Sequence, residues 1–411
     1  MTTTTTALAP GLPGLAPGLP GLAVADRGPG ARPRALRSPG TLLLTGVDPG
    51  HTVDLAAHRH LWGRQPTPAL ADLTALVERA EVVGAGGAAF PTARKLASLA
   101  GRPVGMVIVN GAEGESASGK DGVLLQHVPH LVLDGAVAAA HALGAGRIVA
   151  RISADRPDLA SILPAAIAQR DDGLPIELSI GPASFVAGEA TAVIRAVTGG
   201  PALPADLGRP PVAPRRWSRR AVMLSNVETF ARVAVASRGV TTGSALLSAS
   251  GAVRHPAVVE LPVRWTLDDA AIACGGLVGS PRILITGGWH GRWVPWDTTT
   301  AGARLTRAGL AEAGGRWGAG AFVWLPEDLD PIHALAAVAA ELASTTAEQC
   351  GPCWRGLPEV AHRIGRLADG LGSRGDLELV LDQVDGRGIC AHPTAAVAAL
   401  RSALDLLGEA S

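Results

Sequence analysis

Three cysteines near the C-terminal end carry the most pointed chemistry in this chain. Cys350-Gly-Pro-Cys353 is a C-x2-C turn, which directs two thiols at one centre, and Cys390-Ala-His392 offers a third thiol and an imidazole from a later loop. That is a metal-ligand arrangement. Three readings stand: an iron–sulfur cluster, a Cys3His zinc site that uses His392, or reduced thiols without a ligand. The fourth cysteine, Cys274, stands between Ala273 and Gly275 and reads as a small core residue. A second constellation, Asn110, Glu113, Glu115 and Lys120, follows an apolar run over residues 104–109. Polar groups just past the carboxyl end of a buried strand stand where open α/β sheets place ligands, although ordinary solvated loops are polar too. A third feature, Gly84-Ala-Gly86-Gly87 ahead of a helix, lets backbone N–H groups approach a phosphate, or simply turns the chain. His51, His58 and His60 read as surface.

Rare residues sharpen the second and third features. The chain has no Tyr, four Phe, two Asn and two Lys, so that arginine makes up nearly all of its 36 basic residues. Both lysines (Lys95, Lys120), both asparagines (Asn110, Asn226) and Phe90, Phe185 and Phe230 fall in or beside four short segments. One common site explains that clustering.

Elements must hold those segments together. A length of 411 residues, at about 100–200 per domain, allows two to four domains. Acidic and basic residues balance at 36 each, which gives no net field for nucleic acid or an acidic membrane. No run of eighteen uncharged apolar residues suits a membrane span. Residues 1–40 are a Thr run and a repeated Ala-Pro-Gly-Leu-Pro-Gly-Leu, expected to be a disordered tail. They lack the pattern of a signal peptide, so the expected location is the cytoplasm. Thr67-Pro68 predicts a helix start, with Leu70, Leu73, Leu76 and Val77 on one face. Strands are predicted over 104–109, 148–152 and 176–180, and helices over 131–143, closed by Gly144, and 190–197. That alternation argues for an α/β sandwich. A Pro- and Arg-rich loop over 199–220 precedes a small β-rich module with a helix capped by Thr266. Beyond 327, apolar residues such as Leu357, Val360, Ile364 and Leu367 recur at helical spacing, as in a small bundle.

In order and spacing, the segments from about residue 68 onward resemble the NADH-binding, flavin-carrying subunit of respiratory complex I. They equally resemble the related diaphorase subunits of soluble hydrogenases and formate dehydrogenases. The matching stretches are Gly86-Gly87-Ala88-Ala89-Phe90-Pro91-Thr92 with Lys95, and Asn110-Gly-Ala-Glu113-Gly-Glu115 with Lys120-Asp121. Phe185-Val-Ala-Gly188-Glu189-Ala190-Thr191 and Ser225-Asn226-Val227-Glu228-Thr229 complete the set. The resemblance implies an α/β flavin-binding sandwich domain (41–240), a small β-grasp module of the soluble-ligand-binding type (241–325) and a C-terminal helical bundle (326–411). It implies FMN, NAD(H) and a [4Fe–4S] cluster as cofactors. The partner would be a small [2Fe–2S] ferredoxin-like subunit or another redox protein, with the chain peripheral to any membrane complex. Gly84, Gly86, Gly87, Lys95, Asn110, Glu113, Gly188, Glu189, Ser225 and Asn226 would hold FMN. Phe90 and Glu115 would contact the nicotinamide nucleotide, and Cys350, Cys353 and Cys390 would bind the cluster. No side chain is assigned an acid–base role, because the cofactor carries the chemistry.

Several positions depart from the family pattern. An Asp of the strand loop is Ala112, its Pro-Gly is Ser116-Ala117, the second Glu of the Gly-Glu-Glu turn is Ala190, and the Tyr before it is Phe185. Aromatic positions are held by Ser98 and Val212, and the first cluster cysteine is Ala347, leaving Glu348 or His392 to fill the gap. These changes thin the nucleotide site more than the flavin site. Two alternatives follow: a structural or docking subunit of a redox complex without catalysis of its own, or a flavoprotein with a donor other than NADH.

Overall fold

The computed structural model describes residues 35–36, 42–48, 50–205, 220–241 and 243–409. Most of the 1–40 tail, and Pro210, Pro211 and Val212 of the Pro/Arg-rich loop, lie outside the described residues.

A short strand β1 (Ala35–Leu36) comes first, followed by helices α1 (Leu55–Trp62), α2 (Leu70–Arg79) and α3 (Thr92–Ser98). A parallel α/β unit then runs β2 (Val104–Gly111), α4 (Lys120–His127), α5 (Pro129–Leu143), β3 (Ile148–Ser153) and α6 (Pro157–Ala168). It closes with β4 (Ile176–Gly181), α7 (Ala190–Val197), β5 (Ala221–Asn226) and α8 (Val227–Ser237). The four strands form one parallel sheet in the order β4-β3-β2-β5. Parallel strands need covering on both faces. Val107, Val109, Ile148, Ile152 and Met223 pack with α4, α5 and α8 on one face. Met106, Ile108, Val149, Val222 and Leu224 pack with Val193 and Ile194 of α7 on the other.

The central module holds β6 (Ser244–Gly251), β7 (Ala257–Pro262), α9 (Leu267–Ala273), β8 (Ile283–Thr286), β9 (Arg292–Pro295), α10 (Thr298–Ala301), α11 (Arg307–Glu312) and β10 (Ala321–Trp324). Its sheet is mixed, in the order β1-β7-β6-β10-β8-β9, with the first and last strands of the module, β6 and β10, side by side and parallel. Thr266 and Asp269 form a reciprocal cap at the start of α9, as the sequence predicts. The C-terminal region is helical: α12 (Pro331–Ser344), α13 (Leu357–Ala368) entered through a π turn, α14 (Arg374–Val384) and α15 (His392–Glu409).

Several differences from the sequence reading have local causes. The helix expected to start at Thr67-Pro68 begins at Leu70, and its flanking residue Ala69 offers no side-chain cap. Lys120, grouped with the polar residues after the apolar run, opens helix α4, and Val227 of the Ser225–Thr229 stretch starts a helix. β1 falls inside the stretch expected to lack structure, pairing in parallel with Val258 and Val259 of the mixed sheet. Next to it, the fully buried Glu260 carboxylate accepts the backbone N–H groups of Leu42, Leu43 and Leu44 at 2.9 Å each, and the Ser244 hydroxyl. Among the described residues no single helix is long and apolar enough to cross a membrane, and the apolar pair α4–α5 is bent by 95°.

Candidate functional site

The carboxyl edge of the parallel sheet gathers the polar residues that the sequence singled out. Asn110 on β2 stands in register with Asn226 on β5 and with Arg151 on β3, and Arg151 faces Ser179 on β4. Asn110 Nδ2 donates to the Gly188 carbonyl at 2.9 Å, tying the loop after β2 to the turn before α7. Glycines permit the contact: a Cβ on Gly114 would sit 2.3 Å from Phe185 Cα, and one on Gly188 would sit 2.5 Å from the Ala112 carbonyl oxygen. Asn226 caps α8 by accepting from Glu228 N at 2.9 Å, and its Nδ2 donates to Asp121.

The glycine loop lies over the same edge. Ala85 N donates to Thr229 Oγ1 at 3.0 Å, and a Cβ on Gly86 would be 3.7 Å from Asn226 Cβ. Gly87 takes φ of +98°, in the region that favours glycine, and Gly84 N closes the loop on the Phe90 carbonyl at 2.9 Å. Phe90 projects outward, 46% exposed, with the Arg94 guanidinium over its ring. Lys95 reaches from α3 to the Leu224 carbonyl at 2.9 Å and Ser225 Oγ at 3.3 Å. Both partners are neutral, and burial pulls its pKa down to about 8.

Other members of the predicted site have partners within the chain. Glu113 caps α4, accepting from Ser118 Oγ at 2.6 Å, Asp121 N at 3.2 Å and Gly122 N at 3.0 Å. Glu189 caps α7 through Thr191 N and Ala192 N. Glu115 is buried: it accepts from Ala117 N at 3.3 Å and, across to the mixed-sheet module, from Trp289 N at 3.0 Å. The nicotinamide contact implied for Glu115 thus competes with two backbone donors already in place.

Lys120 anchors a buried charge network, with Nζ 2.7 Å from Asp121 and 3.2 Å from Glu228. Burial lifts Asp121 to about 6 against the pull of Lys120. Glu228, despite its own burial, is held below the usual carboxylate range by Lys120 and Arg232. The two carboxylates in turn keep Lys120 protonated.

Sequence reasoning missed three groups. Arg151 is buried and bonds only neutral acceptors, Ser179 Oγ at 2.9 Å and the Ile180 carbonyl at 3.2 Å, and its Nε has no hydrogen-bond partner. Its presence in the apolar stretch 148–153 was the available signal. His290, on the glycine loop after β8, stacks on Phe185 at 4.3 Å and bonds His392 Nδ1 through Nε2 at 2.9 Å. His58, read as surface, is buried and bonds Asp134 at 2.8 Å, because it lies one helical turn from the buried Leu55 on the inner face of α1. Asp134 also holds Arg170 at 2.7 Å and Arg238, and His58, Asp134 and Arg170 border a cavity of about 170 Å³ shared with Arg59, Arg64 and His141.

The cysteines are brought together only in part. Burial pushes the Cys353 thiol up to about 12, and the neighbouring Cys350 and Cys390 add to the shift. Burial raises Cys390 as well, with the His392 N–H opposing the shift. Ala347 stands where the resemblance places the first cysteine and offers no thiol. His392, the proposed substitute, bonds the Leu342 carbonyl at 3.0 Å as well as His290, so both ring nitrogens are occupied. Glu348 is exposed. Among the described residues no three His, Cys, Asp or Glu side chains converge as a metal site. Cys274 is fully buried, its thiol pushed up to about 12, as a core residue would be.

Two family models match the chain: the Nuo51 FMN-binding domain over residues 77–235 and the NADH-ubiquinone oxidoreductase-F iron-sulfur binding region over residues 333–409. The F-type component of NADH-quinone oxidoreductase from Aquifex aeolicus is 26% identical over 362 residues, covering 81% of this chain and 83% of that protein. Its Escherichia coli counterpart is 28% identical over 380 residues, covering 81% and 82%. The HndC component of the NADP-reducing hydrogenase from Solidesulfovibrio fructosivorans is 27% identical, covering 81% and 73%. A chain of an NAD+-reducing [NiFe]-hydrogenase in its H2-reduced state shares the fold, with a TM-score of 0.75 at 23% identity over 91% of this chain and 68% of that one. With one model on the α/β unit, the other on the terminal helices, and relatives aligned across most of both chains, this protein belongs to the family of 51K-type NADH dehydrogenase subunits.

Proposed function

We propose that this chain is a flavoprotein electron-transfer subunit that binds FMN at the carboxyl edge of its parallel sheet and takes electrons from NADH. Family membership makes it an oxidoreductase-type subunit of a redox complex. The observation that carries the flavin is Lys95, a largely buried cation whose hydrogen-bond partners are a carbonyl and a hydroxyl. Such a cation gains most from an anionic ligand such as a phosphate. Gly84 N is spent on the Phe90 carbonyl and shapes the loop, the N–H groups of Gly86 and Gly87 are the loop's further donors, and Asn110, Gly188, Glu189, Ser225 and Asn226 would complete the polar site. Glu113 acts at one remove, by fixing the start of α4. When bound, FMN accepts the electron pair of a dihydronicotinamide and releases electrons singly. Phe90, which is exposed, would pack on the nucleotide, and the redox partner under this reading is a small [2Fe–2S] ferredoxin-like protein.

The strand order of the central sheet, with parallel β6 and β10 at its middle, supports a β-grasp module of the soluble-ligand-binding type. We take domain limits of 41–240, 241–325 and 326–411, and a cytoplasmic location peripheral to any membrane partner. The engagement of Glu115 by Ala117 N and Trp289 N favours a second reading, in which the donor is not NADH. The [4Fe–4S] expectation fits less well. Three thiols are present, Ala347 replaces the fourth, and both nitrogens of His392 are used.

Anaerobic reconstitution of the full chain with FMN, followed by NADH titration in a visible spectrometer, tests the proposal. Bound flavin that bleaches supports it. Bound flavin that stays oxidised moves the donor away from NADH, and absence of bound flavin leaves a structural subunit.

A further inference from the structure

The mismatch between the cysteine loops and a four-thiolate site has a chemical alternative. We infer that Cys350 and Cys353 form a dithiol–disulfide couple that exchanges with substrate disulfides. This goes beyond the flavin proposal and does not depend on it.

Geometry carries the inference. Cys353 N and Trp354 N both donate to the Cys350 carbonyl, at 3.1 Å and 2.9 Å, so the motif is a closed turn. A turn of this kind holds its first and fourth Cα atoms within about 7 Å. That is close to the span a disulfide bridges. The pair is asymmetric: Cys350 is half-buried and reachable, and Cys353 is buried. A reachable attacking sulfur with a shielded resolving sulfur three residues on is the working layout of a C-x-x-C exchange site. Beside it Trp354 is 60% exposed, with the Arg355 guanidinium 4.7 Å above its ring, giving an apolar surface against which a disulfide-bearing molecule can rest.

The chemistry balances without a metal. Cys350 Sγ attacks one sulfur of a disulfide RS–SR, the Cys350–SR bond forms, the RS–SR bond breaks, and RS⁻ leaves. Cys353 Sγ then attacks Cys350 Sγ, expels the second RS⁻ and closes the Cys350–Cys353 bond. Two cysteine thiols are oxidised, one disulfide is reduced to two thiols, and the two protons shed by the cysteines go to the two leaving thiolates. Cys390 takes no part.

The test uses the intact chain, freed of metal by a chelator and equilibrated in buffers of graded reduced and oxidised glutathione. Denaturing alkylation and peptide mapping then report each cysteine. Oxidation should remove two of the four alkylatable thiols, those of Cys350 and Cys353, and reduced glutathione should restore them. Cys353→Ser should trap glutathione on Cys350, and Cys390→Ser should leave the midpoint unshifted. Four thiols that stay alkylatable, or a disulfide that uses Cys390, would overturn the inference. So would iron and sulfide reconstitution that yields a stable cluster needing all three cysteines and protecting them from glutathione.

Discussion

Asn110 Nδ2 lies 2.9 Å from the carbonyl oxygen of Gly188, a bond that joins the end of β2 to the turn before α7, 78 residues on in sequence, at the floor of the proposed flavin site. The approach depends on Gly188 having no Cβ, since the atom it would gain lies 2.5 Å from the Ala112 carbonyl oxygen. Gly188→Ala should therefore push the loops apart and cost about 1–3 kcal/mol, because backbone cannot yield as a flexible side chain would. Asn110→Ala, which removes only the bond, should cost about 1 kcal/mol. Urea unfolding of the two variants checks the order; equal costs would show that the close approach does not matter.

Lys95 should make flavin affinity depend on pH. In the free protein its pKa is about 8, below its ordinary 10.5, and a bound phosphate would hold it protonated. Affinity should thus be steady below pH 8 and fall as pH rises beyond it, where binding must first recapture a proton. Without ligand the sign reverses for folding: the lowered pKa makes the free protein gain stability as pH rises from 8 toward 10.5. Lys95→Arg should flatten the affinity profile, because arginine keeps its charge. Fluorescence titration with FMN between about pH 6 and 10, which brackets the Lys95 pKa, measures both. Lys95→Ala with unchanged affinity would remove Lys95 from the site.

The network around Lys120 should be expensive to break. Lys120→Met leaves the buried Asp121 without its cation and Glu228 with Arg232 alone. The expected loss is about 3–5 kcal/mol. Adding Asp121→Asn to Lys120→Met should recover part of it, since the stranded charge is gone. Chemical denaturation of the single and double variants tests the coupling, and simple additivity would argue that Lys120 and Asp121 act independently.

Asp134 should set the acid limit of the α/β unit. Burial opposes its ionisation, yet His58 and Arg170 hold it at about 2, and Arg238 adds a third partner. A carboxylate whose folded pKa lies below its unfolded value of about 3.9 contributes its full stability above that value. It loses the contribution as pH falls through 2. Asp134→Ala should be destabilised by about 2–5 kcal/mol at neutral pH, with the gap to the parent protein narrowing between roughly pH 4 and 2. A gap that stays constant over that window would mean the charge is not what stabilises the hub.

Much of the α/β unit was legible because buried strands and amphipathic helices print their periods locally. Val104 to Val109 is a continuous apolar run, and Ala190 to Val197 is bounded by a capping Glu189 and a glycine pair. The polar residues after β2 and β5 were legible for the same reason, since the position of a strand's end fixes where its next residues emerge. His290 was not, because nothing near it in sequence announces Phe185 or His392; only docking of the mixed sheet against the other two regions brings them together. Glu113 and Glu115 show the opposite limit. Their place beside the site was readable, but the partners that occupy them, the α4 N-terminus and Trp289 N, appear only in three dimensions.

The Glu260 carboxylate has a consequence for how the chain is made. Leu43 and Leu44 belong to the core of the α/β unit, yet their amides are satisfied by a side chain 217 and 216 residues downstream. At ribosomal rates of about 5–20 residues per second, that carboxylate emerges roughly 10–40 s after the amides it must receive. During that interval the turn at 42–44 has no permanent seat, and the first unit cannot finish its own core. The nascent chain must wait for the hairpin of β6 and β7 before its beginning is locked, so a stall or cleavage upstream of Glu260 leaves an N-terminal unit with three open backbone donors and an apolar turn exposed.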